Sequence, residues 1–165
     1  TGRKAFTLKG YNSDAYGFEQ SLLPLLNKKH LKALVLGTGG AAKAAGFVLK
    51  KLGLKFIYVT RKITAHNMNQ FKELLTYKDV NKRILKSHML IVNATPIGMY
   101  PNIDEAPPIQ YNCITENHIL YDLVYNPKES LFLKNGKMRG AVVKNGLEML
   151  KLQAEKSWEI WNHGS

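Results

Sequence analysis

Leu34-Val35-Leu36-Gly37-Thr38-Gly39-Gly40-Ala41-Ala42-Lys43-Ala44 is a short apolar run, then a glycine-rich turn, then a run of helix formers. Gly37, Gly39 and Ala42 fit the spacing G-x-G-x-x-G/A. In that pattern the first glycine permits a tight turn and the second lets the backbone approach a pyrophosphate. The small third residue lets helix and strand pack closely. Amides at the new helix N-terminus then face the phosphates, helped by the helix dipole. The surroundings agree with this reading. Lys32 to Leu36 reads as a buried strand, Ala41 to Leu52 as a helix stopped at Gly53, and Lys55 to Thr60 as the next strand. Together they make one βαβ unit.

The second strand of that unit runs out into Thr60-Arg61-Lys62. An acid at this point holds the ribose 2′-hydroxyl in NAD-binding units. Here two cations stand instead, and a guanidinium can bind a 2′-phosphate through charge-assisted hydrogen bonds. The position therefore predicts NADP as the cofactor.

Beyond this unit the strand and helix signals continue to alternate. Asn12, Ser13 and Asp14 are N-cap residues ahead of an apolar helical pattern from Phe18 to Leu26, and Asp14 alone reads as a cap. Thr1 to Lys9 reads as an extended lead-in. A weak helical pattern covers His66 to Leu75, and Lys78 to Lys86 suits a short strand followed by a short helix. Met89 to Asn93 is a buried strand that runs into a loop forced by Pro96 and Gly98. Ile119 to Val124 is the next strand. Glu129 to Asn135 reads as a short helix closed by Gly136, and Met138 to Val143 as a last strand. Asn145 opens a long helix from Gly146 to Trp161, with Leu147, Leu150, Ala154, Trp158 and Trp161 on one face and Met149 and Gln153 on an adjacent one. The alternation predicts a doubly wound, mostly parallel α/β sheet, helices on both faces, in one domain over residues 1–165.

The bulk properties narrow the function. At 165 residues the chain can bury one sizeable core. No apolar run is long enough to cross a bilayer, and nothing at the start resembles a signal peptide. Cys113 is the only cysteine, which suits a reducing cytoplasm and rules out an internal disulfide or a cysteine-rich zinc site. His30, His66, His88, His118 and His163 follow no metal-ligand spacing and read as surface or capping groups. The net charge of +12 permits nucleic-acid binding. The lysines are scattered, however, so a solvated surface with an anionic small ligand is the more economical reading.

With these motifs in place, the chain resembles the carboxyl-terminal, Rossmann-like domain of the shikimate dehydrogenases. Gly10-Tyr11-Asn12-Ser13-Asp14 is similar to that family's Gly-x-Asn-Thr-Asp, and Gly37 to Ala42 to its Gly-x-Gly-Gly-Ala turn. Asn93-Ala94-Thr95-Pro96-Ile97-Gly98-Met99 is similar to its Asn-Ala-Thr-Pro-x-Gly-Met loop. Asp122 to Pro127 is similar to its Asp-x-x-Tyr-x-Pro segment, and Asn145 to Leu150 with Gln153 to its terminal-helix signature.

The resemblance implies reversible NADP-dependent reduction of 3-dehydroshikimate to shikimate, a step toward chorismate and the aromatic amino acids. It implies Asp14 as the catalytic aspartate that bonds the substrate hydroxyl beside a lysine, with Tyr125 and Gln153 also reaching the substrate. It implies Gly37, Thr38, Gly39, Gly40 and Ala41 on the pyrophosphate, and Thr60, Arg61 and Lys62 on the 2′-phosphate. Thr95, Leu123, Gly146 and Met149 would also line the cofactor site, the last three by the nicotinamide. It implies no metal.

Two departures stand out. The family has Asn-Arg-Thr where this chain has Thr60-Arg61-Lys62. The family's substrate domain, which holds a serine pair, the catalytic lysine and an asparagine, precedes Gly-x-Asn-Thr-Asp. Here Lys4 and Lys9 stand too close to that motif to be the lysine. The expectation is a piece of the enzyme, inactive alone, with an exposed apolar helix face that favours weak self-association. The alternatives are an NAD-using quinate/shikimate dehydrogenase and a dinucleotide-binding module without catalysis.

Overall fold

The computed structural model describes residues 10–163, so the reading of Thr1 to Lys9 lies outside the described residues. The strands are β1 (Lys32–Leu36), β2 (Lys55–Thr60), β3 (Leu74–Thr76), β4 (Leu90–Asn93), β5 (Ile119–Asp122) and β6 (Val142–Lys144). The α-helices are α1 (Ser13–Leu22), α2 (Gly40–Lys51), α3 (Ala65–Gln70), α4 (Lys82–Ser87), α5 (Leu131–Lys137) and α6 (Leu147–His163). Among the described residues these strands form one parallel sheet in the order β3-β2-β1-β4-β5-β6. The chain winds outward from β1 to β3, returns to β4 on the other side of β1, and winds outward again. This is a Rossmann-like, doubly wound sheet, and the reversal lies between β1 and β4.

Both faces of the sheet are covered, which explains why its central strands are apolar throughout rather than alternating. Ala33 and Val35 of β1, Leu90 and Val92 of β4, and Ile119 and Tyr121 of β5 pack with Phe18 and Leu22 of α1 and Ala45, Val48 and Leu49 of α2. Their neighbours Leu34, Leu36, Ile91 and Leu120 pack with Leu85 of α4 and Phe132 and Leu133 of α5. The Ser21 hydroxyl lies 2.6 Å from the Tyr121 hydroxyl, so α1 is tied to β5 by a buried polar contact as well.

The first βαβ unit follows the reading residue for residue in its strands. Gly53, at φ +74°, ends α2, with Leu54 N–H donating to Leu49 carbonyl at 2.9 Å. Elsewhere the boundaries differ. The helical pattern from His66 to Leu75 yields only the short α3, because Leu74 to Thr76 pairs with Tyr58 to Thr60 as β3. The expected strand in Lys78 to Lys86 is thus found earlier, and that stretch holds a 3-10 turn and α4 instead. Gly136 does not close α5. It lies inside the helix, where a Cβ would meet the Leu120 side chain, and Gly140 at φ +81° makes the turn after it. The last strand accordingly starts at Val142 rather than Met138.

Helix α6 packs on α1 through the face that carries Met149 and Gln153, and the apolar face expected to be exposed is largely so. Met149 and Gln153 abut Gly17, whereas Ala154, Trp158 and Trp161 are exposed and Leu147 and Leu150 are half-buried. Of the histidines read as surface or capping groups, His66 is exposed and three others take the capping role from buried positions. His30, His88 and His118 are buried, His118 to 2%. Their rings close local turns. Asn27 N–H donates to His30 Nδ1 and Thr115 N–H to His118 Nδ1, both at 3.1 Å. The other ring nitrogens of these two lie 3.1 Å from the carbonyls of Asn117 and Leu85.

Candidate functional site

Parallel pairing brings the carboxyl ends of β2, β1, β4 and β5 to one rim. There the ladder runs on into the loops. Gly37 N–H donates to Val59 carbonyl at 2.8 Å, Ala94 N–H to Leu36 carbonyl at 2.9 Å, and Leu123 N–H to Asn93 carbonyl at 2.9 Å. The turn after β1 and the loop after β4 part at the reversal point and leave a crevice.

Gly37 is required by its backbone. Its φ is +112°, and a Cβ there would meet the Ala94 carbonyl oxygen and Thr95 Cγ2 at 3.0 Å. Gly39 and Gly40 differ from Gly37, since neither has a positive φ and neither is crowded. A Cβ on either would point into open space, the room that an approaching phosphate needs. The N-cap of α2 is Gly39, whose residue type offers no capping side chain, and there is no acidic side chain in the first turn. Its first amides therefore receive no side-chain cap.

The crevice has two adjoining hollows that share Gly39, Ala94, Thr95 and Pro96. One is walled by Gly37, Thr38, Val59, Thr60, Arg61, Tyr77 and Ile97. The other is walled by Gly40, Ala41, Met99, Tyr100 and Leu123 to Asn126. Among the sequence-predicted residues, Gly37, Thr38, Gly39, Thr60, Arg61 and Thr95 thus lie in the first hollow, and Gly40, Ala41, Leu123 and Tyr125 in the second. Arg61 and Lys62 are exposed, and neither belongs to an ion pair among the described residues. Gly146 stands behind Leu123. Its N–H donates to Val124 carbonyl at 3.1 Å, and a Cβ would collide with the Leu123 carbonyl oxygen. The extended crevice, the open space over the glycines and the Arg61 cation at one end together fit a dinucleotide that bears a 2′-phosphate, while Lys62 lies outside both walls.

Asp14, Met149 and Gln153 lie apart from these walls, on the α1–α6 pair. Asn12, not Asp14, caps α1, accepting from Ala15 N–H at 2.9 Å. Asp14 is exposed in the first turn, where a carboxylate suits the dipole but has no capping task. A Cβ on Gly17 would meet Gln153 N at 3.2 Å, so Gln153 is fixed on the face of α6 nearest α1.

Sequence reasoning quoted Asn93 and Asp122 within motifs but gave them no role. They form the frame of the crevice. Thr95 N–H and hydroxyl donate to Asn93 Oδ1 at 3.1 and 2.6 Å, and Asn93 Nδ2 donates to Asp122 Oδ1 at 3.0 Å. Asp122 also accepts from Val124 N–H at 3.0 Å and from the Ser130 hydroxyl. Burial pushes the Asp122 carboxyl up to about 6, against the pull of these donors. One buried acid therefore joins the loop after β4, the loop after β5 and the N-terminus of α5. The signal in the sequence was a polar residue ending each of two apolar strands.

Comparison with known proteins fits this geometry. No family model matches the chain. It is 41% identical over 162 residues to the NADP(+)-dependent shikimate dehydrogenase of Clostridium beijerinckii, covering 93% of this chain and 57% of that protein. Among solved structures it is similar to shikimate dehydrogenase 1 from Peptoclostridium difficile, with a TM-score of 0.75 and 39% identity over 93% of this chain and 56% of that one. It is also similar to a shikimate 5-dehydrogenase from Thermus thermophilus in complex with NADP(H) and shikimate. That match has a TM-score of 0.77 and 30% identity, over 92% of this chain and 57% of the other. The chain spans about 57% of the length of the curated relatives it matches. Among the described residues no helix is long and apolar enough to cross a membrane.

Proposed function

We infer that this chain, kin of the shikimate dehydrogenases over 93% of its own length, is their NADP-binding part. In this reading residues 1–165 form one cofactor domain, and the whole enzyme interconverts 3-dehydroshikimate and shikimate. The observation that carries it is Arg61, at the end of β2 beside the glycine turn, where an NAD-binding unit has an acid.

The residues divide the work by position. The amides from Gly37 to Ala41, at the head of α2, hold the pyrophosphate. Thr60, Arg61 and Lys62 take the adenosine 2′-phosphate, and Thr95 lines the middle of the cleft. Leu123, Gly146 and Met149 keep the nicotinamide end apolar. When bound, the cofactor supplies or accepts the hydride. Asp14, Tyr125 and Gln153 face the substrate. Asp14 orients and keeps charged a lysine that gives the proton to the carbonyl oxygen, a lysine of the substrate domain that the resemblance implies. Alone, the chain offers the substrate one wall and turns nothing over. It works in the cytoplasm on small molecules rather than nucleic acid, in keeping with its single cysteine and scattered lysines.

The test is calorimetry of NADP+ and NAD+ on the 165-residue chain and on Arg61→Asp. A charge-assisted hydrogen bond contributes roughly 1.5–3 kcal/mol, so the wild type should prefer NADP+ by about tenfold or more and the variant should lose that preference. Equal affinity for the two cofactors in the wild type would overturn the reading.

A further inference from the structure

Thr60 pairs with Thr76 at the ends of β2 and β3, so Arg61 and Tyr77 are the next residues out of two neighbouring strands. The backbone at Tyr77 is held by a capping box. Asp79 Oδ2 accepts from the Thr76 N–H at 2.9 Å and from its hydroxyl at 2.6 Å. The phenol walls the first hollow together with Arg61, Gly37 and Ile97, and packs on the layer of α4 and α5. Its hydroxyl is the one buried side-chain polar atom among the described residues with no hydrogen-bond partner. An unpaired buried hydroxyl costs stability, and phenylalanine would avoid that cost at nearly the same volume. The oxygen therefore has no task within the fold.

We propose that Tyr77 is a specificity-determining residue of the cofactor cleft, its hydroxyl the donor that meets the adenosine 2′-phosphate alongside Arg61. The proposal rests on the NADP reading above. A phosphate oxygen only accepts, so a neutral O–H is the right complement to it. Burial pushes the phenol up to about 12, with Arg61 pulling the other way, and the group stays a donor at any working pH. The hydroxyl is covered, so meeting the phosphate requires the ring to turn toward the hollow that Tyr77 lines.

The experiment compares Tyr77→Phe with the wild-type chain by calorimetry with NADP+ and with NAD+, and by thermal unfolding without dinucleotide. The variant should bind NADP+ about tenfold more weakly while NAD+ changes by less than about twofold. Its Tm should rise by roughly 2–4 °C, because the orphaned hydroxyl is gone. An unchanged ratio of NADP+ to NAD+ affinity, or a fall in Tm, would overturn the proposal. If the wild type prefers NADP+ and Arg61→Asp abolishes the preference while Tyr77→Phe keeps it, this proposal alone fails. If the wild type binds neither dinucleotide, both readings fail.

Discussion

Asp122 shows at the scale of one residue how the cleft is held and what that costs. Its Oδ1 accepts from Asn93 and Val124, and its Oδ2 from Ser130, with the side chain fully buried. The carboxyl lies near 6 in the fold and at its ordinary value of 3.8 when the chain is unfolded. Below about pH 4 both states are protonated and the group costs nothing. Between pH 4 and 6 the unfolded chain gives up the proton while the fold keeps it, so stability falls as pH rises. Above 6 the penalty is complete, on the order of 3 kcal/mol for a shift of this size. In Asp122→Asn the amide oxygen can still accept from Asn93 and Val124, but nothing titrates. Urea unfolding at pH 4 and pH 8 should therefore show the variant gaining on the wild type by about that amount between the two. A stability difference independent of pH would mean that Asp122 is not strained by burial. Arg61 carries the converse lesson, since a single residue type at the end of β2 carries the NADP expectation from sequence.

At the scale of elements, the α1–α6 pair depends on one close approach. Gly17 lies where a Cβ would press on the backbone carbonyl of Met149, and no side-chain rotation can relieve that clash. Alanine at a helix interior gains up to about 1 kcal/mol over glycine in propensity, whereas overpacking costs roughly 1–3 kcal/mol. The steric cost should win. Gly17→Ala is predicted to destabilise the fold by about 1 kcal/mol net, read as a lower denaturant midpoint, and a midpoint at or above wild type would show that the two helices can part freely. This contact also marks what the sequence could and could not reveal. The strands β1, β4 and β5 were legible because each is an apolar run buried on both faces, and the less buried β2 because its apolar run follows the helix stop at Gly53. β3 was not, because three half-buried residues after a helical pattern carry too little periodicity to compete. For α6 the exposed apolar face was legible and the packed face was not. Its largest apolar side chains point outward, and it packs through Met149, Gln153 and the small Gly17 opposite. The glycine turn, by contrast, was legible down to single residues, since its spacing is dictated by backbone geometry. The Asn93–Asp122–Ser130 chain and Tyr77 were not, because they depend on which strand ends become neighbours.

At the scale of the whole molecule, two opposing forces act on the outer face of α6. Trp158 is 66% and Trp161 79% exposed, three residues apart on one side of the helix, with Ala154 exposed a turn earlier. An aromatic patch of this kind favours association. The net charge of +12 opposes it, because two copies repel before their tryptophans meet. Salt decides which prevails. The Debye length falls from about 30 Å at 0.01 M to about 8 Å at 0.15 M, so the repulsion shrinks while apolar contact does not. The chain is therefore predicted to be a monomer at low ionic strength and to associate weakly as salt and concentration rise. Replacing Trp158 and Trp161 by serine should abolish the association without lowering stability by more than a few tenths of a kcal/mol, since neither ring is in the core. Sedimentation across a salt series also separates this behaviour from the other reading of the charge. Binding to DNA through a basic surface weakens steeply with salt, opposite in sign to association through the tryptophans. A strict monomer at high protein concentration and high salt, or association that survives the double replacement, would show that this face of α6 does not pair.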